Sequence, residues 1–202
     1  MSFRKEKKYR LTKSDFFTFR SNLDSMGMKP LYATRQINSI YFDTKDLQMF
    51  LDSEEGVLPR KKIRVRWYNS SKNYSKELKI SSTEGRYKTS SILKDIVDLD
   101  DIFKINFFDK SYGYVYPVIK ISYLRSYFEL NNMRITFDEN INYQGLRKDG
   151  CNSYSDAECV VEIKIPHDFE DDIIEQNISY QTARFSKFCR GILITEKQIS
   201  IG

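Results

Sequence analysis

Three cations stand two residues apart in one short stretch. Lys62, Arg64 and Arg66 share a parity with Tyr68, while Ile63, Val65 and Trp67 hold the other. A period of two is that of a β-strand, whose successive side chains point to opposite faces. One face is therefore apolar, and the other carries cations about 7 Å apart. Like charges so placed repel unless an anion sits among them; taken alone, the run is equally a solvated strand face. The pattern recurs, however. Arg4, Glu6 and Lys8 share a parity, as do Glu77 and Lys79, Tyr123 and Arg125, Arg134, Thr136 and Asp138, and Glu158, Glu162 and Lys164. Converging on one interior, such strands make a polar lumen lined with cations.

Arg and Lys donors match phosphate oxygens, and Arg does so with a planar fork. A carboxylate facing the same space can hold Mg²⁺ or Mn²⁺, which bridge to phosphates. Phosphoryl transfer needs mainly positioning and charge neutralisation. A lumen with many cations and few acids therefore suits a polyphosphate chain or a nucleoside triphosphate.

Other chemistries find little support. The single histidine, His167, follows Pro166 at a strand end and reads as a surface residue. Cys151, Cys159 and Cys189 have no metal-ligand spacing, and an odd count argues against a disulfide framework. No glycine-rich phosphate loop and no nucleophilic triad is legible. The aromatics alternate with core positions and form no stacking platform for nucleic acid. The basic start leads to no apolar signal region, and no apolar run reaches membrane-spanning length. The expectation is a cytoplasmic, soluble chain with no membrane segment. Its net charge of +5 favours anionic partners without naming one. At 202 residues the chain suits one domain, 1–202.

The elements that must position these residues can be read in order. A strand over 3–10 precedes a helix capped by Thr12 or Ser14, with Phe16, Phe19 (or Phe17) and Leu23 at helical spacing and Gly27 as its stop. Residues 38–44 read as a strand ending in a cap. A helix over 45–55 follows, with Leu47, Phe50 and Leu51 inward. Strands over 62–68 and 74–80 flank a polar hairpin loop. Ser90 and Ser91 read as the cap of a helix through Asp98, and 99–113 as irregular or a further short helix. A long strand over 115–130 turns at Asn131-Asn132 into a strand over 133–138. Residues 142–156 look loop-like, 158–165 form a strand, 168–176 an acidic helix, and 181–190 a last helix ended by Gly191. Strands with helices inserted between hairpins indicate α+β with a mostly antiparallel sheet. About eight strands would allow closure into a barrel with the helices outside.

The ordered set RxExK, SIYFDT, the RxR of IRVRWY, ELK, YxR, RITFD, VEIK and RFSK resembles the VTC domain. This is the polyphosphate-polymerase branch of the triphosphate tunnel metalloenzyme superfamily, related to the CYTH proteins. The likeness runs from about Phe3 to Ile194, and its motifs are specific only together. It implies a closed antiparallel barrel whose tunnel binds triphosphate or polyphosphate. It implies catalytic, phosphate-neutralising roles for Arg64, Arg66, Lys79, Arg125, Arg134 and Lys187, and phosphate binding by Lys8. Tyr41 and Tyr123 would line the tunnel, Glu162 would bind the metal, and Glu6 would match a metal-binding acid of related triphosphatases. Arg4, Lys62 and Lys164 join the phosphate-binding set by strand parity. Arg184 joins it by standing three residues before Lys187 on an expected helix. Arg4 replaces one acid of the ExExK pair of related triphosphatases, which weakens a hydrolase reading.

The resulting expectation is a metal-dependent phosphotransferase using Mn²⁺ or Mg²⁺. It would pass the γ-phosphate of ATP to a growing polyphosphate chain. The alternatives are a triphosphatase on the same site and a non-catalytic polyphosphate-binding module.

Overall fold

The computed structural model describes residues 4–147, 152–166 and 180–197, and only the backbone of Arg4, Pro166 and Lys197. The expected acidic helix over 168–176, His167 and Cys151 lie outside the described residues.

The elements are β1 (Arg4–Leu11), α1 (Lys13–Ser25), β2 (Lys29–Asp43), α2 (Gln48–Glu55), β3 (Arg60–Tyr68), β4 (Ser75–Ser82) and β5 (Gly85–Ile92). There follow α3 (Leu99–Lys104), β6 (Phe107–Asp109), β7 (Gly113–Leu130), β8 (Met133–Gly145), β9 (Ser153–Ser155), β10 (Cys159–Pro166) and α4 (Lys187–Lys197). The strand order is β1-β10-β8-β7-β2-β3-β4-β5, with β6 on β7 and β9 on β8. The expected α+β class and antiparallel pairing hold. The expected closed barrel does not: the ladder is open, with β1 and β5 at its ends. The reason lies in β5. Its sequence, GRYKTSSI, is polar on both parities, and seven of its eight residues are exposed. It has no apolar face to bury, and Lys88 helps to blunt it as an edge.

The chain forms two compact units. One comprises 1–36, 123–141 and 156–185; the other comprises 37–122, 142–155 and 186–202. In the first, α1 lays Phe16, Phe19 and Leu23 on a core of Tyr9, Ile135, Phe137, Val161 and Ile163. Thr12 caps α1 as expected, its Oγ1 accepting from Asp15 N at 3.1 Å. The residues that β1, β8 and β10 give to that core all have odd numbers, so the even positions of these strands are left for a polar face.

In the second unit, Ile63, Val65 and Trp67 pack with Ile40, Phe42, Met49 and Ile102. The cap expected at the end of SIYFDT is Asp43. Its carboxylate accepts from the N–H of Thr44, Met49 and Phe50 at 2.7–2.9 Å, which anchors the start of α2. That helix begins at Gln48 and buries Met49 and Ser53, whereas Leu51 is exposed. The expected inward Leu51 fails because Leu47 takes a left-handed backbone before the helix and shifts the phase.

Two other helices differ from expectation. Ser90 and Ser91 lie in a strand, not at a cap, because β5 pairs with β4 across the turn ending at Gly85. The helix starts later, where Asp98 and Asp101 form a reciprocal capping box. The last helix begins at Lys187 and runs through Gly191. Gly191 is therefore a point of close approach and not a stop. A Cβ there would stand 2.5 Å from Ile119 Cδ1 and 2.6 Å from Tyr143 Cδ1. Alanine would improve helix propensity by up to about 1 kcal/mol, but overpacking against a fully buried tyrosine costs about 1–3 kcal/mol. Gly191→Ala is expected to lower the thermal unfolding midpoint. No described helix is long and apolar enough to cross a membrane.

Candidate functional site

Each unit carries its own cluster of the residues singled out in the sequence. In the second unit the register of β2, β3 and β4 builds it. Tyr41 lies opposite Arg64, and Ser39 opposite Arg66. Arg64 lies opposite Glu77, and Lys62 opposite Lys79. Lys79 in turn lies opposite Lys88 of β5. Arg64 is buried, donating from Nε to Glu77 Oε2 at 2.7 Å and from Nη1 to the Tyr41 hydroxyl at 2.7 Å. Arg66 Nε donates to Ser39 Oγ at 3.1 Å. Lys88 donates to the other oxygen of Glu77 at 2.6 Å, and Lys62 to Ser186 Oγ at 2.8 Å. Phe188 of α4 stacks on Tyr41 with centroids 5.0 Å apart. Lys187 opens α4, half-buried.

The Glu77 carboxyl is buried, which alone would raise its pKa. The guanidiniums of Arg64 and Arg66 and the bond from Lys88 override this and hold it at about 2. Glu77 therefore stays ionised and fixes the arginine fork. Burial would likewise raise the Tyr41 phenol, but Arg64, Arg66 and Lys79 pull it down to about 7. One tyrosine of the protein is expected to ionise near neutral pH, visible by ultraviolet difference absorption. An anion bound among these cations would move that titration upward. A titration confined to the ordinary range near 10 would contradict this field.

The first unit arranges a second cluster on the even positions of β1, β10 and β8. Lys8 lies opposite Glu162, and Glu6 opposite Lys164. Glu162 lies opposite Thr136, and Lys164 opposite Arg134. Glu162 pairs with Lys164 at 3.0 Å and Lys8 at 4.0 Å, and Lys8 also meets Glu6 at 2.8 Å. Lys8 Nζ further donates to the Phe185 carbonyl. Arg125 grips Asp138 with two bonds, of which Nη2 to Oδ2 is 2.6 Å, and its guanidinium lies 5.2 Å from the Tyr123 ring. Burial would raise the Glu162 carboxyl; Lys164, Lys8 and Arg125 together hold it at about 2.

A family model described as the VTC domain matches residues 3–195. The chain belongs to the VTC domain family. No curated protein matches it. Among solved structures this VTC domain resembles a "putative adenylate cyclase" from Bacillus halodurans, with TM-score 0.58, 14% identity, and 94% of this chain and 97% of that one covered. It also resembles the PH1012 protein of Pyrococcus horikoshii OT3, with TM-score 0.55, 14% identity, and 93% and 99% covered. A third is the Hippeastrum "putative adenylyl cyclase" described as having a dominant triphosphatase activity, with TM-score 0.51, 14% identity, and 96% of each chain covered. At such identity these likenesses concern the fold.

The VTC domain thus brings Lys62, Arg64, Arg66, Lys79 and Tyr41 together in one unit, and Glu6, Lys8, Tyr123, Arg125, Arg134, Glu162 and Lys164 in the other. Arg184 is exposed and precedes α4, so the helix face it was expected to share with Lys187 does not exist. The side chain of Arg4 lies outside the described residues. Glu158, which shares the parity of Glu162 and Lys164, receives two bonds from Arg10. Sequence reasoning missed Ser39 and Ser186, because a neutral hydroxyl leaves no charge signal. It placed Glu77 beside Lys79, whereas the register gives Glu77 to Arg64.

Among the described residues no three His, Cys, Asp or Glu side chains gather as a metal cage. A divalent cation that works on phosphates needs only one or two carboxylates, because phosphate and water oxygens complete its shell. Glu162 fits that requirement, since it is an oxygen donor kept ionised throughout the neutral range.

Proposed function

We propose that this VTC domain is a polyphosphate polymerase, which transfers the γ-phosphate of ATP to the end of a growing polyphosphate chain. The observation that carries the reading is the row Lys62, Lys79 and Lys88, in register on three adjacent strands. Directly opposed like charges destabilise a sheet. A polyanion lying among them turns that repulsion into binding. The row adjoins the rigid Arg64–Glu77 fork, which presents a guanidinium already ordered before a substrate arrives.

In this reading both clusters take phosphate groups. Glu162, with Glu6 as a second carboxylate, would hold Mn²⁺ or Mg²⁺. The cation when bound neutralises phosphoryl oxygens. A terminal phosphate oxygen of the growing chain attacks the γ-phosphorus in line; the new P–O bond forms as the bond from that phosphorus to the β-γ bridging oxygen breaks, and ADP leaves. Arg64, Arg66, Lys79 and Lys187 in one unit, and Arg125 and Arg134 in the other, are the cations that would offset phosphoryl charge. Lys62 and Tyr41 in the one, and Lys8, Lys164 and Tyr123 in the other, would bind phosphate groups. An ionised phosphate needs no general base.

The test is to incubate the purified protein with ATP and Mn²⁺ or Mg²⁺, with and without a short polyphosphate primer, and resolve the products by chain length. Long polyphosphate with ADP is the expected result. Orthophosphate without chain growth would replace the reading with a triphosphatase. Polyphosphate binding without turnover would leave a binding module.

A further inference from the structure

On the polar face of β1, β10 and β8 the charged groups are largely matched to one another. Glu6 meets Lys8, Glu162 meets Lys164 and Lys8, and Arg125 meets Asp138. Two buried atoms depart from this. Among the described residues, Arg134 Nε and Thr136 Oγ1 are buried and have no hydrogen-bond partner. They stand two residues apart on the same face of β8, opposite Lys164 and Glu162. Thr136 is 3% exposed.

A buried hydroxyl with nothing to bond is costly, whereas a valine of the same shape would fill the position without that cost. Both residues are β-branched and suit a strand equally. The packing of β8 therefore does not call for the oxygen of Thr136; something that approaches this face does. The neighbouring Arg134 Nε–H can only donate, so the missing partner supplies acceptor oxygens. Lys8, Lys164 and Arg134 stand around the position and outnumber Glu162, the carboxylate opposite Thr136, so that partner is anionic. A chain of phosphoryl groups offers successive acceptor oxygens along the strand.

We infer that Thr136 is a substrate-binding residue, whose hydroxyl donates to a phosphoryl oxygen of the bound chain beside the one taken by Arg134 Nε–H. The inference rests on the reading of this face as a phosphate site. It does not depend on whether the chain is built or hydrolysed. Thr136 shares a parity with Arg134 and Asp138 but carries no charge, so no role of its own is legible in the sequence.

The probe is tripolyphosphate, measured by calorimetry, with thermal unfolding of the free protein alongside. Thr136→Val is expected to weaken binding about tenfold, the size of one lost hydrogen bond to a charged group. The unfolding midpoint of the free variant should equal or exceed that of the native protein, because an unmatched polar atom has been removed. Thr136→Ser should bind within about threefold of the native protein. Arg134→Lys keeps the charge, removes the Nε–H, and is expected to bind more weakly as well. A structural role for the hydroxyl would lower the midpoint of Thr136→Val, and that result overturns the inference. So does unchanged affinity in Thr136→Val when the native protein binds. A native protein that does not bind tripolyphosphate would overturn the phosphate reading itself, an outcome distinct from the other two.

Discussion

Glu162→Gln is expected to lower metal-dependent phosphoryl transfer by about a hundredfold or more while the protein remains folded. A loss of that order follows from removing one preorganised charge at a phosphoryl-transfer site. The substitution keeps the shape and removes the carboxylate proposed to hold the cation. Lys8 retains Glu6 at 2.8 Å, so only Lys164 loses its close partner. The structural cost is about 1–3 kcal/mol. Its pH dependence has a definite sign. The Glu162 carboxyl is depressed from 4.5 to about 2. Its contribution to stability is therefore complete above 4.5 and is lost as the pH falls through that interval toward 2. Acid unfolding of Glu162→Gln should lack this component. Turnover of the native protein should show no limb from Glu162 near neutrality. Full activity in Glu162→Gln would sink its assignment as the metal ligand.

Arg64→Ala is expected to remove both activity and stability. Its guanidinium binds Glu77 and Tyr41, and both arginine and glutamate are buried. Removing one partner of a buried pair costs about 3–5 kcal/mol, because the other charge is left uncompensated. Lys88 and Arg66, at 2.6 and 4.0 Å from Glu77, moderate that cost. Activity should fall by about a hundredfold or more, as for loss of any preorganised donor to the transition state. A paired change separates the effects. Arg64→Met with Glu77→Met should regain much of the stability, since apolar replacement of a buried pair is often neutral. It should regain none of the turnover. Recovered turnover in the double variant would show that Arg64 acts only by holding the fold. The Tyr41 titration should also leave the neutral range in Arg64→Ala, since the cation nearest the phenol is gone.

Much of the arrangement of the candidate site was legible because charge alternates in a strand. In IRVRWY the odd positions are core and the even ones, Arg64, Arg66 and Tyr68, are polar, and the fold keeps both assignments. The same holds for RITFD and VEIK, whose odd positions enter the core beneath α1. Capping was legible at Thr12, where a short polar side chain precedes a helix; at the end of SIYFDT a cap was legible, but only the structure assigned it to Asp43. Ser90 and Ser91 misled, because a serine suits a cap or an edge strand equally and only the pairing of β4 with β5 decides. Gly191 misled because a glycine that stops a helix and one that admits a tyrosine ring are the same residue in sequence.

The sequence by itself determined which side chains share a face, since that depends only on the two-residue period of each strand. It also determined the family, through the order of short motifs that are individually weak. Only the tertiary structure decided which acid locks which cation. Glu77 belongs to Arg64 and Lys88, Asp138 to Arg125, and Glu162 to Lys164 and Lys8, because strand register joins residues far apart in the chain. It decided, too, that the ladder stays open, because β5 has no apolar face with which to close it. And it alone showed Thr136 as a buried hydroxyl without a partner, a property of the space around a side chain and not of its place in the sequence.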